Sequence, residues 1–101
     1  MNAVDLKRMQ ASAAAASEFL GNLANEKRLL TLCRLMEAEC SVGELAEAVG
    51  LSQSALSQHL TRLRKDGLVD TRRDGQTIYY RIKDPRVKKL IRLLYDAFCK
   101  S

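Results

Sequence analysis

The chain has 101 residues, of which 47% are hydrophobic, and this length suits one compact domain. No apolar run approaches the roughly 18 residues that a membrane-spanning helix needs, and the N-terminal segment lacks a signal-peptide pattern. The formal net charge of +5 is unevenly distributed, with −2 in residues 1–50 and +7 in residues 51–101. A positive charge concentrated in one half favours a polyanionic partner, nucleic acid before membrane, with a solvated basic surface as the alternative.

The three cysteines, Cys33, Cys40 and Cys99, are an odd number without a secretory signal. This pattern predicts a cytoplasmic, reducing location and argues against a permanent disulfide framework. Because the chain has one proline, five glycines and no linker or repeat, residues 1–101 are expected to form a single domain.

The first two predicted elements are helices. Apolar residues recur at helical spacing at Leu6, Met9, Ala13, Ala16 and Leu20. They predict a first helix near residues 3–21, after which Asn22 or Asn25 is placed to cap a second helix. The core-facing stripe of that second helix is expected to contain Leu29, Leu32, Cys33 and Met36.

A helix-turn-helix unit is predicted next. Ser41 and Glu44 have the spacing of a capping box, which predicts a third helix through Val49. Gly50 is placed to end that helix in the left-handed conformation, and Ser52 is placed to cap a fourth helix. Two helices joined by such a tight turn form a helix-turn-helix arrangement.

The apolar period changes to two after Gly67. The segments LVDTRR and TIYYRI predict two strands that are joined by a hairpin at Asp74-Gly75. Asp84 and Pro85 then have the cap-and-first-position pattern of a last helix with a wide apolar stripe. A chain this small cannot bury both that stripe and the one on the first helix. The predicted fold is mainly α with a two-stranded wing, a winged helix-turn-helix that forms a homodimer through its terminal helices.

One face of the fourth helix, in SQSALSQHLTRLRK, carries short hydroxyl and amide side chains. Exposed helix faces ordinarily favour Glu, Lys and Arg, which are better helix formers. Short polar side chains ending in Arg and Lys are typical of a helix that meets another surface closely.

Three segments together resemble the ArsR/SmtB family of dimeric bacterial transcriptional repressors, over about residues 18–99. They are NEKRLLTLCRL, SVGELAEAVGLSQSALSQHLTRLRKDGLV and RRDGQTIYYRI. Within that family the chain is most similar to the persulfide-sensing BigR/SqrR branch. The resemblance implies a regulator that is not an enzyme and has no resident cofactor, and whose fourth helix enters the major groove of a pseudo-palindromic double-stranded DNA operator.

The resemblance also implies which residues contact DNA. Base-edge contacts are expected from Gln53, Ser54, Ser57 and Gln58. Phosphate contacts are expected from Thr61, Arg62, Arg64 and Lys65 of the fourth helix, and from Arg72, Arg73 and Gln76 of the wing. The alternative for each is an ordinary solvated surface residue, and for His59 a packing role is favoured over a DNA contact.

Two metal sites common in the family are not matched by this sequence. Ser41 and Gly43 stand where the third-helix motif has two thiolates, and the last helix contains no histidine. Since a zinc site needs about four ligands, three of them usually from protein, no metal ligands are predicted.

Cys33 and Cys99 match the dithiol pair of the persulfide-sensing branch. The resemblance implies that reactive sulfur species link these thiols by a disulfide or polysulfide bridge, and that bridging releases the operator. Arg34, Lys27 or Lys100 is expected to lower a thiol pKa, and Cys40 is expected to be a bystander. The alternatives are inert thiols, a repressor that senses a metal or has no effector, a thiol redox enzyme, and a winged-helix protein-interaction module.

Overall fold

The computed structural model describes residues 2–100. Its elements in chain order are α1 (Ala3–Leu23), α2 (Glu26–Leu35), β1 (Cys40–Ser41), α3 (Val42–Val49), α4 (Gln53–Lys65), β2 (Val69–Asp74), β3 (Thr77–Ile82) and α5 (Pro85–Phe98). The strands form one antiparallel sheet in the order β1-β3-β2. The arrangement confirms the predicted winged helix-turn-helix and adds one strand to it.

The predicted two-stranded wing is formed by β2 and β3, and the added strand β1 extends it to a three-stranded sheet. In β1, Cys40 pairs with Tyr80 and Ser41 pairs with Tyr79. Two residues are too few to show the period-two alternation of a strand, and Ser41 is also the N-cap of α3. The local sequence around Ser41 therefore indicated only the start of a helix.

The hairpin turn of the wing lies one residue later than predicted. Asp74 pairs with Thr77, so the turn consists of Gly75 and Gln76. Gly75 has a φ of 63°, in the left-handed region that glycine adopts without steric cost.

Side-chain caps fix the helix starts. The Asn25 carboxamide oxygen accepts hydrogen bonds from the backbone N–H groups of Lys27 and Arg28, at 3.0 and 3.1 Å, so Asn25 and not Asn22 caps α2. The predicted capping box of α3 is present, with 3.2 Å from the Glu44 N–H to Ser41 Oγ and 3.0 Å from the Ser41 N–H to the Glu44 carboxylate. Caps of this kind stabilise a helix by about 1 kcal/mol each.

The core lies where α2, α3, α4 and α5 meet the sheet. It is formed mainly by leucines, and those fully buried are Leu32, Leu45, Leu56, Leu60 and Leu63. Ala46 is buried in the helix-turn-helix unit, where its small side chain lets α3 and α4 pack closely. Because the leucines of α4 face this core, the opposite face of α4 points outward.

Both terminal helices leave large apolar side chains exposed. They are Leu6, Met9 and Leu20 on α1, and Leu93, Tyr95 and Phe98 on α5. Phe98 is 82% exposed, which is unusual for a side chain whose burial contributes up to about 3 kcal/mol. The chain therefore does not bury these two faces by itself.

Gly50 supplies a stability prediction, since it ends α3 at φ 71° and ψ 40°. Gly50→Ala is expected to lower the free energy of unfolding by about 1–2 kcal/mol, because Cβ approaches a carbonyl oxygen in the left-handed region. Gly21→Ala is the matched control, since Gly21 is inside α1 and no neighbouring heavy atom lies within 4 Å of an added Cβ. It should instead raise stability by about 0.5–1 kcal/mol. Urea unfolding measures the free energy of unfolding of both variants. If Gly50→Ala leaves it unchanged, the left-handed conformation at this turn does not require glycine.

Candidate nucleic-acid interface and thiol cleft

The outward face of α4 presents the four predicted base-contact residues. Gln53, Ser54, Ser57 and Gln58 are all exposed on the first two turns. Ser52 Oγ accepts a hydrogen bond from the Ala55 N–H at 3.1 Å, which fixes the start of this helix. The arrangement leaves amide and hydroxyl groups free to meet base edges.

The predicted phosphate contacts of α4 fall into two groups. Arg64 and Lys65 are exposed at its C-terminal end. The Arg62 guanidinium is held at 2.9 Å from the Asp66 carboxylate, and it also donates a hydrogen bond at 3.0 Å to Oδ1 of the buried Asn22 on α1. Arg62 is thus less available to a phosphate than Arg64 or Lys65. Thr61 is exposed, but its hydroxyl donates to the Ser57 carbonyl at 2.8 Å.

Two arginines of the wing, Arg72 and Arg73, lie at different distances from its turn. Arg72 lies over the Tyr79 ring, 4.9 Å from the centroid, and its Nε is 3.1 Å from the Glu39 carboxylate. Arg73 and Gln76 are exposed near the turn, where Arg73 Nε donates to the Gly75 carbonyl at 3.1 Å. The exposed tip therefore carries Arg73 and Gln76, whereas the charge of Arg72 is partly balanced.

His59 is half-buried on α4, in keeping with the favoured packing role. Its Nδ1 accepts a hydrogen bond from Arg28 Nε on α2 at 3.1 Å. Burial lowers the pKa of His59 from its usual value, and the neighbouring Arg28 charge lowers it further. The ring is therefore neutral near pH 7, with its proton on Nε2.

Cys33 and Cys99 line one cleft of about 280 Å³ between α2 and α5 of the same chain. The remaining wall is apolar and consists of Leu29, Ile91, Leu94, Tyr95 and Phe98. Both cysteines are exposed free thiols at this cleft, so the prediction that Cys33 faces the core is wrong. Leu32 and Leu35 take the core-facing positions of α2, and Cys33 lies to one side of them, towards α5.

Although Cys33 is exposed as a residue, partial burial of its thiol against the cleft wall raises the pKa of that thiol, and the nearby Cys99 sulfur raises it further through like-charge repulsion. Burial and the Cys99 charge are the causes that act on the Cys33 pKa and both raise it, so the expectation of a cation that lowers it is wrong for Cys33. Of the three proposed cations, Arg34 instead acts on Cys40, whose pKa its charge lowers against the larger effect of burial. Lys27 donates to the Val49 carbonyl at 2.9 Å, Arg34 is 3.3 Å from Glu37, and Lys100 is 3.6 Å from Asp96.

The raised pKa predicts a pH-dependent reactivity. Because only the thiolate is nucleophilic, alkylation of Cys33 by iodoacetamide should be slower near pH 7 than that of a cysteine in an unstructured peptide. The rate should rise about tenfold per pH unit up to the ordinary thiol pKa of about 8.5 and should continue to rise above it. Peptide mapping by mass spectrometry measures the rate, and a plateau below pH 8 would contradict a raised pKa.

Cys40 is in a different environment. It is fully buried in β1, and its Sγ donates to the Ala38 carbonyl at 3.5 Å. Burial is the main cause that raises the pKa of its thiol. It is not part of the wall shared by Cys33 and Cys99.

No group of three or more His, Cys, Asp or Glu side chains that could hold a metal ion is found within residues 2–100. None of the helices in that part of the chain is both long and apolar enough to cross a membrane.

Comparison with known proteins places these features in a family. The family described as "Bacterial regulatory protein, arsR family" matches residues 25–71. The transcriptional activator HlyU of Vibrio cholerae is 47% identical over 98 residues, covering 97% of this chain and 91% of HlyU. The chain belongs to the ArsR family.

Solved structures of ArsR-family relatives agree with this assignment. Reduced HlyU from Vibrio cholerae has a TM-score of 0.86 at 48% identity, covering 92% of this chain and 98% of that one. The transcriptional repressor BigR from Xylella fastidiosa has a TM-score of 0.87 at 38% identity, covering 94% and 97%. These relatives are transcriptional regulators and not enzymes, and this chain is a transcriptional regulator of the ArsR family.

Proposed function

We propose that this regulator is a repressor that releases its operator when reactive sulfur bridges Cys33 and Cys99. The observation that carries the proposal is that both free thiols line one apolar cleft between α2 and α5 of a single chain. The name of the BigR structure, a transcriptional repressor, supports the repressor role, whereas HlyU is named a transcriptional activator. The name of one HlyU structure, which describes it as reduced, bears only on the redox part of the proposal.

The bridging chemistry takes two steps with a persulfide, RSSH, as the oxidant. One cysteine thiolate attacks the outer sulfur of RSSH, which gives a cysteine persulfide and releases the thiol RSH. The second thiolate then attacks the inner sulfur of that persulfide, which closes a disulfide and releases hydrogen sulfide. The two thiols lose two electrons, and the sulfane sulfur gains them. Each further sulfur in a polysulfide bridge requires one more RSSH and releases one more RSH.

The DNA side of the proposal uses the outward face of α4 and the wing. Gln53, Ser54, Ser57 and Gln58 are proposed to contact base edges, because hydroxyl and amide groups both donate and accept hydrogen bonds. Thr61, Arg62, Arg64, Lys65, Arg72, Arg73 and Gln76 are the proposed phosphate contacts. Among them Arg64, Lys65 and Arg73 are the strongest candidates, because Arg62 and Arg72 already have carboxylate partners.

A bridge between Cys33 and Cys99 would couple the thiol cleft to the DNA-binding surface by fixing α2 against α5. The helix α5 carries one of the two exposed apolar faces, which we propose form a homodimer interface. Fixing α5 would then change the separation of the two recognition helices of the dimer, and with it the operator affinity. Such coupling free energies are typically about 1–3 kcal/mol, a change of about 5- to 150-fold in affinity.

The test is a fluorescence-anisotropy titration of operator DNA with the reduced protein and with the persulfide-treated protein. Treatment should weaken binding by about 5- to 150-fold, and dithiothreitol should restore it. Equal affinities before and after confirmed bridging would refute the regulatory role. An operator obtained by selection from random sequences serves as the ligand.

The proposed dimer has its own prediction. Sedimentation at micromolar concentration should give about twice the chain mass of 11.3 kDa. Selected operators should be pseudo-palindromes with half-sites about 10–10.5 base pairs apart, or a multiple of that spacing. A stable monomer that binds one half-site as tightly as the whole operator would contradict both expectations.

A further inference from the structure

Two consecutive cations at the start of α2 hold both helices of the helix-turn-helix unit. Lys27 Nζ donates to the Val49 carbonyl at the end of α3 at 2.9 Å. Arg28 Nε donates to His59 Nδ1 on α4 at 3.1 Å. The Val49 carbonyl is among the last four of α3, which have no partner within their own helix. The first turn of α2 therefore anchors α3 and α4 together.

Asn22 at the end of α1 completes this anchor on the other side. Its backbone carbonyl accepts a hydrogen bond from Arg28 Nη1 at 3.3 Å. Its Oδ1 accepts one from Arg62 Nη2 at 3.0 Å, and the residue is only 5% exposed. His59 and Arg62 are three residues apart and hence neighbours on one face of α4. Each is bound from outside its own helix, in contrast to the free polar face of α4.

The same short helix also carries one of the two cleft thiols. Cys33 lies five residues after Arg28, about 7.5 Å along the axis of α2. Thr31 lies between them, fully buried, and its hydroxyl donates to the Lys27 carbonyl at 2.7 Å. A helix of ten residues that packs in the core through Leu32 and Leu35 moves as one piece, so a shift at Cys33 reaches Arg28.

We propose that the Arg28–His59 hydrogen bond is the joint through which bridging at Cys33 displaces the recognition helix α4. This inference rests on the function proposed above and deepens it. Arg28 and His59 are positioning residues, since the bond holds α4 in place without contacting DNA. The joint requires the neutral ring with its proton on Nε2, because Nδ1 must accept the Arg28 hydrogen.

The first test measures the operator affinity of the reduced and of the persulfide-bridged protein for the parent and for two variants, His59→Ala and His59→Asn. His59→Ala removes the acceptor, whereas His59→Asn keeps an acceptor oxygen close to the position of Nδ1 and cannot be protonated. The parent and His59→Asn should show the same ratio of reduced to bridged affinity within about twofold. His59→Ala should show a ratio at least threefold smaller. Because each ratio compares the reduced and bridged states of the same variant, a general loss of DNA affinity in that variant does not affect it.

A second measurement does not depend on the alanine variant being folded. His59 is the only histidine of the chain, so its ring nitrogen signals need no assignment. In the reduced parent, a long-range ¹H–¹⁵N spectrum should show a proton on Nε2 and a hydrogen-bonded Nδ1. Bridging, verified by mass spectrometry, should shift the Nδ1 signal towards that of an unprotonated imidazole nitrogen that accepts no hydrogen bond.

The outcomes separate this inference from the function on which it rests. If bridging lowers the operator affinity of the parent while the His59 signals stay unchanged and His59→Ala keeps the parental ratio, only the joint is overturned. If bridging leaves the operator affinity of the parent unchanged, the proposed function fails and the joint fails with it. A shifted Nδ1 signal together with the reduced ratio of His59→Ala supports both.

Discussion

Replacing either Cys33 or Cys99 with serine is expected to leave operator binding intact and to abolish its response to persulfide. Both residues are exposed at the cleft, so the substitution should change the free energy of unfolding by no more than about 0.5 kcal/mol. The remaining thiol can still take up a sulfur from RSSH, but no second thiolate in the cleft can close the bridge. The 5- to 150-fold affinity change expected of the parent, on the order of 1–3 kcal/mol, should disappear.

Cys40→Ser is the matched control for this pair. Cys40 is fully buried and its Sγ donates to the Ala38 carbonyl, a hydrogen bond that a serine hydroxyl can also make. The variant should respond to persulfide as the parent does, and urea unfolding should be recorded to account for any loss of stability. If Cys40→Ser loses the response while Cys99→Ser keeps it, the sensing pair proposed here is wrong.

The second large effect is expected on the recognition helix. Gln53→Ala and Gln58→Ala should each weaken binding to the cognate operator by about 1–3 kcal/mol, the value of a good bidentate contact to a base. Both side chains are exposed, so their removal should leave the fold unchanged. Their effect on random DNA of the same length should be small, because the glutamine amide carries no charge.

Arg73→Ala provides the contrasting control at the wing. It should weaken binding to cognate and to random DNA alike. It should also reduce the slope of the logarithm of the DNA-binding constant against the logarithm of the salt concentration by about 0.9. Arg72→Ala should act in the same direction but less strongly, because Glu39 already balances part of that charge. Equal losses on cognate and random DNA for the two glutamine variants would refute base contacts.

The parts of the fold that the sequence predicted well are those set by local signals. The Ser41–Glu44 capping box, the left-handed Gly50 and the start of α5 at Asp84-Pro85 each depend on residues within four positions of one another. Such signals can be read from a single chain, because the hydrogen bonds that they describe are short in sequence.

Features that depend on distant partners could not be predicted. Strand β1 exists because Cys40 and Ser41 pair with residues of β3 that lie 40 and 38 positions later. The His59–Arg28 bond joins residues 31 apart, and the Arg62–Asn22 bond joins residues 40 apart. Neither leaves a signature in the hydrophobic pattern of its helix.

Cys33 shows why a helical stripe alone does not decide burial. Leu29, Leu32, Cys33 and Met36 share one face of α2 at the 3.6-residue period. Only the packing of the other helices determines which part of that face meets the core, and Leu32 is buried whereas Cys33 opens onto the cleft beside α5. The pairing of Cys33 with Cys99 is implied by the family resemblance and stays a proposal, and the structure adds that both residues line one cleft.

The central claim is that persulfide closes a bridge between Cys33 and Cys99 of one chain. Its most direct test is mass spectrometry of the persulfide-treated protein, digested without reductant and mapped for linked peptides. We expect one linked pair that contains Cys33 and Cys99 and no sulfur on Cys40. In a mixture of isotopically heavy and light chains, the linked peptides should be all heavy or all light. Heavy-light pairs in statistical proportion, or a linkage that includes Cys40, would contradict the claim.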